Sequence, residues 1–149
     1  DNGCGMSEEW LSRVTDPFTT GRTTRKVGMG IPFFKMACEQ AAGTFQIQSE
    51  LGKGTKTCGT FQIQHIDRLP LGDLGETVTM LILEKPEIRY TLTLSSEQGS
   101  YVFDTDAIRE VLEDTPINEY EILQWMKGYV EDHTRNIFGG VLDEIVGRA

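Results

Sequence analysis

A five-residue phrase occurs twice in this chain: Thr44-Phe45-Gln46-Ile47-Gln48 returns as Thr60-Phe61-Gln62-Ile63-Gln64. Each copy alternates apolar and polar side chains. An extended backbone with that period sends Phe and Ile to one face and Gln to the other. Gly52-Lys53-Gly54 lies between the copies and suits a turn. The expectation is two neighbouring antiparallel strands sharing one buried face.

A helix is expected ahead of this pair, from about residue 31 to 42. Ile31, Phe34, Ala37, Cys38 and Ala41 recur at helical spacing, Pro32 is tolerated in the first turn, and Gly43 reads as the stop. Ser7 before Glu8 and Glu9 starts a short helix, the hydroxyl capping and the acids complementing the dipole. Residues 15–30 lack periodicity and read as a mobile loop. Beyond Pro70, Asp73 and Glu76 have capping-box spacing, followed by Leu74, Val78, Leu81 and Ile82 on one helical face. A second hairpin is expected from Ile88–Ser95 and Tyr101–Asp104, then a helix over Asp106–Glu113. A last helix is capped by Asn118 with Glu121, stapled by Ile117 and Ile122, and buries Ile122, Met126, Tyr129 and Val130. Trp125 and Tyr129 read as core.

Charge divides the chain. Residues 1–70 carry 8 basic and 7 acidic side chains, whereas 71–149 carry 6 basic and 16 acidic. The overall charge of −9 argues against a nucleic-acid binder, which needs a basic face to displace counterions. No stretch approaches the ~18 apolar residues of a membrane span. The cysteines Cys4, Cys38 and Cys58 have no CxxC spacing, so a reduced, cytoplasmic protein is expected.

Glycines concentrate at special places in the first part. Asp1-Asn2-Gly3-Cys4-Gly5 puts a carboxylate beside a tight turn. Asp16-Pro17-Phe18 opens the loop bearing Arg22, Arg25 and Lys26. Gly28-Met29-Gly30 runs into the helix, and Gly52-Lys53-Gly54-Thr55 joins the strands. Each feature has a reason to meet a nucleotide. A carboxylate can accept from the adenine amine, and glycine lets backbone approach a flat base. Helix N-termini bind phosphate, and Lys or Arg can neutralise its charge. A solvated loop is the plain alternative for Arg22, Arg25 and Lys26, but their place directly before Gly28 favours phosphate contact.

In this order the segments resemble the boxes of the GHKL ATPase superfamily, the fold of histidine-kinase catalytic domains, MutL and gyrase B. The likeness covers about residues 1–66, ending with Phe61 after the Gly-Lys-Gly-Thr box. It implies a two-layer α/β sandwich of the GHKL (Bergerat) type, of which residues 1–70 are the C-terminal portion. No Pro/Gly/Ser linker follows, so an acidic α+β extension, 71–149, is expected to pack on it. It also implies ATP with Mg²⁺ as ligand. Asp1 would read adenine, Gly3 and Gly5 would shape the base pocket, and Thr55 would reach adenine through a water. Gly28, Met29 and Gly30 would receive phosphate, with Arg22, Arg25 and Lys26 in the lid. The segment from His65 to Asp73 resembles small stand-alone ATP-binding proteins of anaerobic bacteria associated with iron-hydrogenase genes, which implies a hydrogenase-related protein partner.

The family's N-box helix, which holds Mg²⁺, and the strand before the first glycine box would precede Asp1. The expectation is therefore a truncated or incompletely recorded form, or else an oligomeric contact covering the face of Phe45, Ile47, Phe61 and Ile63. No catalytic residue and no metal ligand is assigned within the chain. Three functions stay open: a kinase acting on a separate partner, a non-catalytic ATP-dependent switch, and a slow MutL-like ATPase. His65, as a continuation of the Phe61/Ile63 face, and His133, on an acidic helix, read as structural rather than as phosphoacceptors.

Overall fold

The computed structural model describes residues 1–16 and 29–143. The described residues divide into two compact units, Asp1–Leu69 and 70–143.

In the first unit Ser7 Oγ accepts from Trp10 N–H and caps α1 (Glu8–Leu11). The second helix, α2, spans Gly30–Gln40. It starts one residue before the expected position and stops two residues short of it. The reason is local. Ala42, at φ 52°, rather than Gly43 takes the left-handed position, its N–H donating to Glu39 O and Gly43 N–H donating to Cys38 O. That pair of bonds closes a helix end. Gly43 is needed for a different reason: a Cβ there would sit 1.7 Å from Thr60 O.

The strands β1 (Phe45–Glu50) and β2 (Gly54–Gly59) pair antiparallel, with Phe45 opposite Gly59 and Ser49 opposite Thr55. The alternation of β1 appears as expected: Phe45, Ile47 and Ser49 are half-buried, while Gln46, Gln48 and Glu50 are exposed. Helix α2 packs on this sheet, with Phe34 edge-on to Phe45 at 5.6 Å. A helix layer on a sheet layer is the mixed α/β class expected, and the pairing is antiparallel.

The second repeat copy is not the partner strand. Gly54–Gly59 takes that place, and Thr60–Gln64 falls beyond Phe45, the first residue of β1, where no described strand is left to pair with it. Thr60 N–H still reaches Thr44 O and Gln62 N–H reaches Ala41 O, but the chain then turns. Phe61 and Ile63 are 39% and 47% exposed, so they do not extend a buried face. His65 consequently lies in a turn, accepting from Asp67 N–H at 3.2 Å, and is not a core residue of a strand.

The second unit is built from α3 (Leu74–Glu84), β3 (Thr91–Ser96), β4 (Gly99–Asp104), α4 (Thr105–Leu112) and α5 (Tyr120–Phe138). Asp73 accepts from Glu76 N–H at 2.7 Å, and α3 forms despite its β-branched Thr77, Val78 and Thr79. The β3–β4 hairpin sets Leu92 opposite Phe103 and Leu94 opposite Tyr101. Relative to expectation β3 starts at Thr91 instead of Ile88, β4 starts at Gly99, and α4 is shifted one residue toward Asp104, which caps it. Asn118 is not the cap of α5. Glu119 N–H is engaged by Pro116 O, and Glu119 is the residue before the first turn.

The core of this unit joins Val78, Ile82, Phe103, Ile117, Leu123, Met126 and Val130, with Ile122 packed beside it. Leu123 replaces Tyr129 on the buried face, whereas Trp125 and Tyr129 are 54% and 40% exposed. The burial of α5 thus follows positions 123, 126, 130 and 137, a stripe rotated from the expected one. Among the described residues no helix is long and apolar enough to cross a membrane.

Candidate functional site

The glycine-punctuated start of the chain meets the β1–β2 turn. Thr55 N–H donates to Asp1 O at 3.1 Å, and the Asp1 nitrogen donates to Thr55 O at 2.8 Å. This mutual exchange is the hydrogen-bonded pair of an antiparallel ladder. Farther along, Gly52 N–H donates to Cys4 O at 2.7 Å and Met6 N–H donates to Ser49 Oγ at 2.9 Å. Residues 1–6 are therefore stitched to the hairpin at both ends.

Two glycines make that approach possible. At Gly5, with φ +65°, a Cβ would lie 1.9 Å from Glu50 O; at Gly54, with φ +113°, it would lie 2.0 Å from Asp1 O. Any side chain at either place would push the segments apart. Gly3 serves differently: its N–H donates to Asp1 Oδ1 at 2.9 Å, fixing the carboxylate in a local turn. A carboxylate offers about four acceptor sites, so one bond to Gly3 leaves capacity for an amine.

Ser49 is the residue that motif reading missed. Its Oγ accepts from Met6 N–H, donates to Gly54 O at 2.9 Å, and lies 2.9 Å from Thr55 Oγ1. A hydroxyl has one donor. With that proton on Gly54 O, the Thr55 hydroxyl must donate to Ser49, and its own lone pairs stay available to a ligand or water. The available signal was a polar residue at the inward position after Phe45 and Ile47.

Beside these groups lies an open cavity of about 660 Å³, bordered by Asp1, Ser49, Lys53, Gly54, Thr55 and Lys56 among others. That volume lies within the range of small-molecule sites. Lys53 pairs with Glu50 at 2.7 Å. Asp1 and Thr55 are thus brought together, with Gly5 and Gly3 holding the segment behind them. Met29 precedes α2 and Gly30 opens it; neither borders this cavity. Arg22, Arg25, Lys26 and Gly28 lie outside the described residues. The adenine end of ATP fits the donor set: a fixed carboxylate for the exocyclic amine, a hydroxyl with lone pairs to spare, and glycines that admit a flat ring. Among the described residues no three metal-ligating side chains gather.

Residues 1–67 match the family of histidine kinase-, DNA gyrase B-, and HSP90-like ATPases. A sensor protein of Shewanella frigidimarina is 46% identical over 57 residues, which are 38% of this chain and 9% of that protein. Sensor protein SrrB of Staphylococcus aureus is 42% identical over 60 residues, 37% of this chain and 10% of that protein. The chain therefore spans about a tenth of the length of these curated relatives. No solved structure matches significantly. Residues 1–67 are thus similar to ATPases of the GHKL superfamily.

Proposed function

We propose that Asp1–Leu69 is the nucleotide-binding part of an ATP-dependent regulatory protein related to histidine-kinase catalytic domains. The observation that carries this reading is the joining of the Asp1 segment to Gly54-Thr55 beside an open polar cavity. Asp1 reads the adenine amine, Gly3 and Gly5 hold it in place, and Thr55 reaches the base through a water. Arg22, Arg25, Lys26 and Gly28, with Met29 and Gly30 at the head of α2, receive the phosphates. Magnesium accompanies the triphosphate.

In this reading the protein works in the cytoplasm, where Cys4, Cys38 and Cys58 stay reduced, and transfers the γ-phosphoryl group to a separate protein. The resemblance of residues 65–73 points to a hydrogenase-related partner. The alternative reading is a non-catalytic switch ordered by ATP, in which binding changes the surface offered to a partner without phosphoryl transfer.

Equilibrium binding of labelled ATP tests the nucleotide role. Asp1→Asn is expected to weaken binding about tenfold or more, the scale of a charged hydrogen bond. Unchanged affinity would refute the adenine assignment. Incubation with γ-labelled ATP and lysate separates the two readings: a labelled partner supports the kinase, and ATP-dependent capture without label supports the switch.

A further inference from the structure

Trp125, Tyr129 and His133 recur every four residues along α5, so they share one stripe of the helix. Their rings form a fixed stack. Trp125 lies on Tyr129 with centroids 5.1 Å apart and planes at 17°. Tyr129 meets Tyr101 of β4 edge-on at 5.7 Å, and His133 stacks on Tyr101 at 3.8 Å. His133 Nδ1 is 2.8 Å from Tyr129 O, which holds the imidazole in place. The stack is anchored at the Tyr101 end and open at the other, where Trp125 is 54% exposed. Two large aromatic rings held rigid in solvent lose little freedom on binding, and Trp and Tyr are the residues that most often dominate interfaces.

Charge says what kind of partner fits. Glu121 lies one turn before Trp125 on the same stripe, and Glu119 precedes the helix. Neither forms an ion pair among the described residues. Two cations of the same helix are engaged elsewhere, Lys127 with Asp73, Glu76 and Glu131, and Arg135 with Asp132. Ring faces beside uncompensated carboxylates suit a planar cation. A guanidinium can stack on indole or phenol and donate two hydrogen bonds to a carboxylate at once. An ammonium can neither stack flat on a ring nor offer a planar two-donor fork, and an acidic segment would be repelled. We propose that this stripe of the second unit docks an arginine-bearing segment of a partner protein.

The test uses the full chain with Trp10→Phe, so that Trp125 alone reports by fluorescence. Neutral acrylamide should quench it readily. Protection in the dilute protein would mean that its own chain covers the stripe, and protection that grows with concentration would mean that a second copy does; either overturns the proposal. Titration with a short peptide alternating Arg and Ser should then change Trp125 emission, with affinity about tenfold above that of the Lys-Ser counterpart. Tyr129→Ala and Glu121→Gln should each weaken the Arg peptide about fivefold or more. Glu121 is exposed, so its variant keeps the test sound even if Tyr129→Ala fails to fold. Equal affinity for the two peptides, or no loss in Glu121→Gln, would show only general attraction to an acidic protein and refute the docking site.

Discussion

At the scale of single residues, the site depends on atoms that are absent as much as on those present. Gly54 and Gly52 both have positive φ, at +113° and +80°, but only Gly54 faces backbone at 2.0 Å, whereas nothing lies within 4 Å of a Cβ at Gly52. Gly52→Ala should therefore cost only the left-handed penalty of about 1–2 kcal/mol. Gly54→Ala should cost more than that and also separate Asp1 from Thr55, which abolishes labelled-ATP binding if the nucleotide reading holds. Urea unfolding of the pair measures the difference, and an equal cost would contradict the close approach. Ser49→Ala leaves Met6 N–H without its acceptor and removes the partner of the Thr55 hydroxyl. A loss of about 1–3 kcal/mol is expected; a change near zero would mean that Ser49 does not fasten the segment.

Among the elements, the helix ends make the clearest predictions. Asp73 accepts from Glu76 N–H and lies 3.2 Å from Lys127 Nζ. The backbone hydrogen bond first, and then the lysine, hold its carboxyl below the ordinary carboxylate range. The folded protein thus binds that proton less readily than the unfolded chain does. The stability this contributes is present above the ordinary value of about 3.9 and is lost as pH falls through the lower folded value. Asp73→Asn keeps a capping oxygen but should flatten this acid-side loss, while Asp73→Ala should cost about 1 kcal/mol at neutral pH. Unfolding free energy measured from pH 5 downward checks both, and an unchanged acid slope in the Asn variant would remove Asp73 from the account. At the end of α2, Ala42 holds φ 52°, a conformation that glycine adopts without a Cβ clash. Ala42→Gly is expected to stabilise by about 0.5–1 kcal/mol, read as a higher Tm. A lower Tm would mean that the flexibility gained by the unfolded chain outweighs the relief.

For the whole molecule, each unit holds its own packing: Val14, Cys38 and Ala41 in the first, the Phe103–Met126 cluster in the second. Met126 is fully buried, so Met126→Ala should cost about 2–5 kcal/mol. We keep as a proposal that residues 71–149 pack on the ATP-binding part in place of a partner-docking region. If they do, Met126→Ala weakens labelled ATP binding as it loosens the second unit. Intact affinity in a variant whose second unit has melted would separate the two units functionally.

Local rules written within a few residues were legible without coordinates. Ser7 and Asp73 cap their helices as their spacing implied, the alternation of Phe45 and Ile47 with Gln46 and Gln48 survives in β1, and the glycine boxes led to the superfamily that residues 1–67 match. What failed was pairing. The two identical pentapeptides carry the same alternation, yet a strand needs a neighbour for its N–H and C=O groups, and the segment paired with β1 is Gly54–Gly59, joined to it by a shorter turn. The rotation of α5 failed for a similar reason. Tyr129 and Leu123 both fit an apolar stripe, and only the placement of α3 and β4 around the helix decided that Leu123 goes inside. Periodicity states which residues share a face, but the partner that covers the face lies far away in sequence, and only the folded chain brings it there.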